Sequence, residues 1–143
     1  MTYKVYSFKD HKVTANVPGL GRYLLSGGGI GRITVAYAGD KAAVTPTLDG
    51  NAIINKHHRK DGTIGIDVPQ VGDANDYLKK WCNYVDNAAT AEFANGELTI
   101  IDNMSNETVT CVGVVPQKLA DTAYDEDAQN RSWTLLAAEI TIQ

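Results

Sequence analysis

The most constraining feature of this sequence is a two-residue alternation of apolar and polar side chains that recurs from one end of the chain to the other and gives way once to a helical period. Successive side chains of an extended chain point to opposite faces, so this pattern specifies strands with one buried face and is wrong for a helix. Tyr3 to Phe8 and Lys12 to Val17 flank the turn Lys9-Asp10-His11, which predicts an N-terminal hairpin ended by Pro18-Gly19. Arg32 to Tyr37 places Ile33, Val35 and Tyr37 on one side, and Ala38-Gly39-Asp40 turns the chain toward Ala42 to Thr47, before the turn signal Asp49-Gly50. Ala52 to His58 and Thr63 to Val68 flank Arg59-Lys60-Asp61-Gly62, whose Asp-Gly accepts the positive φ of a tight turn and predicts a further hairpin.

The interruption begins after Pro69 to Gly72, where the period changes from 2 to 3.6. Asp73 reads as the N-cap, and Asp76 adds negative charge near the positive end of the helix dipole. Tyr77, Trp81, Tyr84 and Ala88 form one row and Leu78, Cys82 and Val85 the next, while Lys79, Lys80, Asn83 and Asp86 face away. Strands return at Glu97 to Ile101, Glu107 to Val115 and Ser132 to Ile142. In the last of these the apolar parity changes between Leu135 and Ile140, which predicts a bulge near Leu136 to Ala138. Many short antiparallel strands and one helix give a mainly β fold with one α-helix, a β-sandwich or partly open barrel, as one domain over residues 1–143.

Charge and cysteine content narrow the function. The net charge of −4 argues against sequence-specific DNA binding. Residues 1–72 carry nine Lys/Arg against five Asp/Glu, whereas residues 73–143 carry four against twelve, so the halves are +4 and −8. If the two signs occupy different surfaces, head-to-tail or side-to-side self-association is favoured; if the halves interleave, the asymmetry averages out. Cys82 and Cys111 form no CxxC pair, which excludes a disulfide scaffold or zinc ribbon and fits a reducing compartment. No apolar run approaches the length needed to span a bilayer, and residues 1–8 hold no secretory apolar core.

The candidate sites resolve to bland readings. Ser26-Gly27-Gly28-Gly29-Ile30-Gly31-Arg32 lacks the GxxxxGK[ST] pattern and leads into a strand, so it reads as a loop rather than a phosphate cradle. His57-His58 would point to opposite faces of a strand and cannot easily share a metal. Asp121, Asp125, Glu126 and Asp127 lack the spacing and glycine of a calcium loop. No GxSxG elbow exists, and both cysteines sit in apolar rows. Neither catalytic residues, metal ligands nor a cofactor are expected.

The order of certain features resembles the tail tube proteins of contractile-tailed bacteriophages. Gly31-Arg32-Ile33-Thr34-Val35, Asp40, Val44-Thr45, Asp49-Gly50, Asn55 and Arg59 carry it, followed by Asp61-Gly62-Thr63-Ile64-Gly65-Ile66, Asn75-Asp76-Tyr77-Leu78 and Arg131-Ser132-Trp133-Thr134-Leu135. The resemblance implies hexameric rings stacked into a hollow tube, with each subunit adding strands to an inner barrel. It implies as partners further copies of the chain, a tail sheath, a baseplate or tube initiator, a tail terminator, and a tape-measure protein or DNA in the lumen. Arg32, Ile33, Val35 and Tyr37, with Arg59, Lys60, Asp61 and Ile64, are the expected assembly contacts, on the strength of hairpin length and alternation. A related secretion-system tube and a small β-sandwich binding module using Trp81 and Trp133 are the alternatives, and an enzyme is the remotest.

Overall fold

The computed structural model describes residues 2–25 and 30–143. The glycine run Ser26 to Gly29 lies outside the described residues. The described residues form ten strands and one long helix in the order β1 (His11–Val17), β2 (Gly21–Leu24), β3 (Arg32–Tyr37), β4 (Ala42–Pro46), β5 (Ala52–Lys56), β6 (Gly62–Pro69), α1 (Asp73–Asn87), β7 (Gly96–Asp102), β8 (Thr108–Pro116), β9 (Asn130–Ala137) and β10 (Glu139–Ile142). All pairings are antiparallel, and the main sheet runs β2-β1-β7-β8-β9-β6-β3, with β10 also on β8. Among the described residues β4 and β5 pair only with each other.

Alternation is expressed as burial along the central strands. Ile64, Ile66 and Val68 of β6, Val13, Ala15 and Val17 of β1, and Leu98 and Ile100 of β7 all enter one core, with Trp81 of α1 and Trp133 of β9. In β8 the buried parity changes, from Val109 and Cys111 to Val114. Gly113 causes the change. It takes φ +67 and is an extra residue against β7, where Glu97 faces Val112 but Gly96 faces Val114. The bulge bends β8 so that its first part joins β7 and β10, while Val115 and Pro116 pair with β9. The expected break in the last strand falls at Ala138, whose N–H donates to Val112 O at 3.0 Å as the chain leaves β9 for β10.

α1 lies where the period change put it, but Gly72 is its N-cap and makes no side-chain cap bond, so Asp73 is the first helical residue. Asn75, one position beyond Ala74, is fully buried. It accepts from Trp133 Nε1–H at 3.1 Å and donates from Nδ2 to Gln70 O at 3.2 Å, which ties the helix start to β9 and to the end of β6. Tyr77 donates to Gly21 O at 3.0 Å and stacks on Tyr23 at 4.8 Å, holding the same helix against β2.

Two expected hairpins are replaced by longer-range pairings. Residues 2–7 are in no strand; β1 pairs with β2 and β7 instead. β5 and β6 do not pair across Arg59-Lys60-Asp61-Gly62. β6 is a central strand between β3 and β9, and its Ile64, Ile66 and Val68 are fully buried in the core, a burial that a two-stranded hairpin could not supply.

Candidate assembly surfaces

β3, β4, β5 and β6 form one long interrupted hairpin. In the β3–β6 ladder the paired numbers sum to 99 (Arg32 with Asp67, Tyr37 with Gly62), and the Ala38 N–H donation to Asp61 O keeps that sum. In the β4–β5 ladder the sum is 98 (Ala42 with Lys56, Pro46 with Ala52), and His57 N–H already donates to Lys41 O at 2.8 Å in the new register. One residue is therefore gained at the joint formed by residues 38–41 and 57–61. Ala38-Gly39-Asp40, expected to reverse the chain, instead carries it outward. The reversal comes at Asp49-Gly50, where Gly50 N–H donates to Thr47 O at 3.3 Å.

The outer part of this hairpin is an arm without a body to pack on. Every residue of β4 and β5 is exposed. Val44 and Ile54, directly paired, remain 64% and 74% exposed, and Leu48 at the tip is as exposed as in an unfolded chain. Local bonds hold the arm's shape: Asn55 Nδ2 donates to Thr45 Oγ1 at 3.3 Å, and Thr47 Oγ1 donates to Asn51 O at 3.0 Å.

The joint is built from charged groups around a close backbone approach. Arg59 donates to both carboxylate oxygens of Asp61, at 3.1 and 2.9 Å, and its side chain crosses Gly39 so closely that a Cβ there would sit 2.9 Å from Arg59 Cδ. That hydrogen-bonded pairing raises the Arg59 pKa and holds Asp61 below the usual carboxylate range. Lys60 Nζ lies 3.9 Å from Glu139, and Lys41 Nζ sits 5.5 Å above the Tyr37 ring. Tyr37 donates to Ile140 O at 2.8 Å, and Ile140 N–H donates to Lys60 O at 2.8 Å, so β10 clamps the base of the arm from the side.

The expected contact residues separate into three groups. Arg32, Ile33, Val35 and Tyr37 lie on β3, which among the described residues pairs with β6 alone and has no strand on its other backbone edge, with Ile33, Val35 and Tyr37 half-buried. Arg59, Lys60 and Asp61 meet at the joint. Ile64 is fully buried in its own chain, so its side chain has no surface left for a neighbour. Sequence reasoning missed the arm because the apolar residues of Ala42–Pro46 and Ala52–Lys56 do not say whether their cover comes from the same chain; the signal was Asp49-Gly50 centred between two runs of matched length.

Chemistry elsewhere is muted. Burial pushes both thiols up to about 11, helped at Cys82 by the Asp86 charge. Trp81 and Trp133 are fully buried core groups and offer no ring to a sugar. Among the described residues no cluster of three His, Cys, Asp or Glu could hold a metal ion. No described helix is long and apolar enough to cross a membrane.

Comparison with known structures finds the same fold. A chain from the sheath/tube terminator of the extracellular contractile injection system PVC superposes with a TM-score of 0.67 at 13% identity, covering 99% of this chain and 98% of that one. A chain from the PVC sheath-tube complex gives 0.65 at 13% identity, with 97% and 91% covered. A chain from the tail of an empty GTA particle with C6 symmetry gives 0.64 at 10% identity, with 97% and 99% covered. No curated protein matches the sequence. The model of the bacteriophage PhiTE tail tube protein family matches residues 3–143. With that match over nearly its whole length, the chain belongs to the bacteriophage PhiTE tail tube protein family and is a structural component of a tail.

Proposed function

We propose that this chain assembles into hexameric rings that stack into the inner tube of a contractile tail, a non-catalytic conduit for DNA ejection in which residues 1–143 form one tube domain. The observation that carries the reading is the arm of β4 and β5. An isolated two-stranded hairpin is marginal in water, and this one exposes Val44, Leu48 and Ile54 together, so its natural complement is another molecule. A second copy, reached from the next ring, supplies it.

The open edge of β3 supports lateral closure within a ring. An unpaired edge invites strand addition, and a closed ring of subunits removes the hazard by pairing it. In this reading Arg32, Ile33, Val35 and Tyr37 make ring contacts, and Arg59, Lys60 and Asp61 aim the arm. The likeness to a chain from a C6-symmetric tail supports six subunits, and the likenesses to sheath-tube and terminator structures support a surrounding sheath and a capped end. The net charge of −4 per subunit fits a conduit that must release the polyanion it carries. Assembly takes place in a bacterial host, with tape-measure protein or DNA occupying the lumen.

Sedimentation velocity and native mass spectrometry across a concentration series test this directly. The expected species are a 15.4 kDa monomer, a sixfold multiple of it and higher stacks of that multiple. A single monomer or a closed dimer at every concentration, with or without a seeded tube end, would overturn it. A tube of an injection particle is the second reading, favoured by the PVC likenesses. Nuclease-protected DNA inside intact particles decides for the phage tail.

A further inference from the structure

The arm has a counterpart at the other end of the same subunit. β6 runs from Gly62 at the arm's joint to Pro69, eight residues and about 23 Å at an extended rise. At the far end Gln70 N–H donates to Gln129 O at 3.0 Å, and Gln70 Nε2 donates to Ala123 O at 3.3 Å, which draws the 117–129 segment beside the start of α1. Val71 and Tyr124 adjoin that contact and are 82% and 81% exposed. Two large apolar side chains thus stand in solvent at the end opposite the arm, whose own Val44, Ile54 and Leu48 stand equally bare.

The charges at the two ends are opposite. One cleft at the joint is lined by Lys41, Lys56, His57, His58, Arg59 and Lys60. Arg59 and Lys60 are engaged by Asp61 and Glu139, while Lys41 and Lys56 make no ion pair among the described residues. At the far end Asp121 is engaged by Lys118 at 3.8 Å, while Asp125, Glu126 and Asp127 have no ion pair among the described residues. Lys41 and Lys56 at the joint and Asp125, Glu126 and Asp127 at the far end thus form a basic and an acidic cluster at opposite ends of β6, within a wider distribution that also puts Arg32 opposite Asp67 at the far end and Asp49 at the arm's tip.

We infer that the surface around Val71 and Tyr124, flanked by Asp125, Glu126 and Asp127, receives the arm of a second copy of this chain, with Val44 and Ile54 covering the apolar pair and Lys41 and Lys56 facing the carboxylates. The contact joins two different surfaces, so it does not close on itself and propagates head to tail, as a stack requires. It rests on the tube reading and supplies what that reading lacks, the surface that accepts each arm. Charge complementarity also fixes polarity, because arm against arm or patch against patch sets like charges together.

Two charge-reversed variants test the pairing. Lys41→Glu/Lys56→Glu makes both ends acidic, and Asp125→Lys/Asp127→Lys makes both ends basic; all four side chains are exposed, so both variants are expected to fold and melt as the wild type does. Each alone is expected to elongate at least about tenfold more slowly than wild type at low salt, a defect that shrinks as salt screens it. Mixed, they are expected to elongate together, because an acidic arm meets a basic patch and a basic arm an acidic patch at alternate junctions. Elongation of either variant alone at the wild-type rate, or a mixture that stays as short as its components, overturns the pairing. Failure of the wild type itself to form rings or stacks is the separate result that overturns the tube reading.

Discussion

Removing the arm separates its role in assembly from any role in folding. Lys41 and His57 already form a hydrogen-bonded antiparallel pair at 2.8 Å, so residues 42–56 can be replaced by Asn-Gly, a two-residue connection suited to a tight hairpin. None of the excised strand residues is buried, and among the described residues β4 and β5 pair with no strand of the body. The body therefore loses no packing. Shortening a connection of about fifteen residues to two lowers its closure cost by about 2 kcal/mol on the logarithmic scaling. The variant is expected to be between unchanged and about 2 kcal/mol more stable, a melting temperature raised by up to about 6 °C for a chain of this size. Sedimentation velocity at the concentration where wild type stacks is expected to find rings at most. A loss of stability greater than about 2 kcal/mol would mean that the arm packs on its own body, and tubes of normal length without it would mean that it is not the link between rings. Either result refutes the reasoning.

Further predictions follow from the interior and from the titrating groups. Asn75→Ala leaves the Trp133 N–H and the Gln70 carbonyl without their partner and is expected to cost about 2–4 kcal/mol in chemical denaturation; a double-mutant cycle with Trp133→Phe that is additive to within about 0.3 kcal/mol would contradict this. Asp102 accepts from Ser105 Oγ at 2.7 Å and from the Met104 N–H at 3.0 Å, which hold its carboxyl below the ordinary 3.8. Its contribution to stability is therefore fully present above pH 3.8 and lost as pH falls through the lowered folded value; Ser105→Ala is expected to move the NMR titration of Asp102 upward, and no movement would be contrary. With both thiols pushed up to about 11, alkylation of Cys82 and Cys111 by iodoacetamide is expected to be negligible at neutral pH and to appear on unfolding, whereas reaction of the folded protein at the rate of a free thiol would be inconsistent with their burial.

How much of this was legible in the sequence depends on whether a feature is local. The helix start at Asp73, the turn at Asp49-Gly50 and the break at Ala138 were readable because period, turn chemistry and parity are properties of neighbouring residues. Pairing partners were not. Alternation fixes which face of a strand is buried and says nothing about which strand lies beside it, so the turn signal at Asp61-Gly62 points to β5 as the partner of β6, which lies between β3 and β9. The buried parity change at Gly113 likewise became interpretable only once β7 and β9 were seen on either side of the bulge.

The candidate site was half legible for a different reason. β4 and β5 hold apolar residues on both faces, Ala42 to Val44 and Ala52 to Ile54, yet all their residues are exposed in the single chain. Apolar side chains in a strand call for cover, whether it comes from the same chain or from a neighbour. Ile64 and Val44 therefore read alike, although one is sealed in its own core and the other stands in solvent. Charge asymmetry between the two halves is visible in the sequence, but which charges cluster, Lys41 and Lys56 at the joint and Asp125 to Asp127 at the far end, is legible only in the fold.

The most direct test is cryo-electron microscopy of the purified, concentrated protein, with helical reconstruction of whatever it forms. The account predicts a hollow tube of six-subunit rings in which the β4–β5 arm of each subunit crosses the ring boundary and lies on the next ring. Arms folded back on their own subunits within a tube, or the absence of rings at every concentration and with a seeded end, would contradict it.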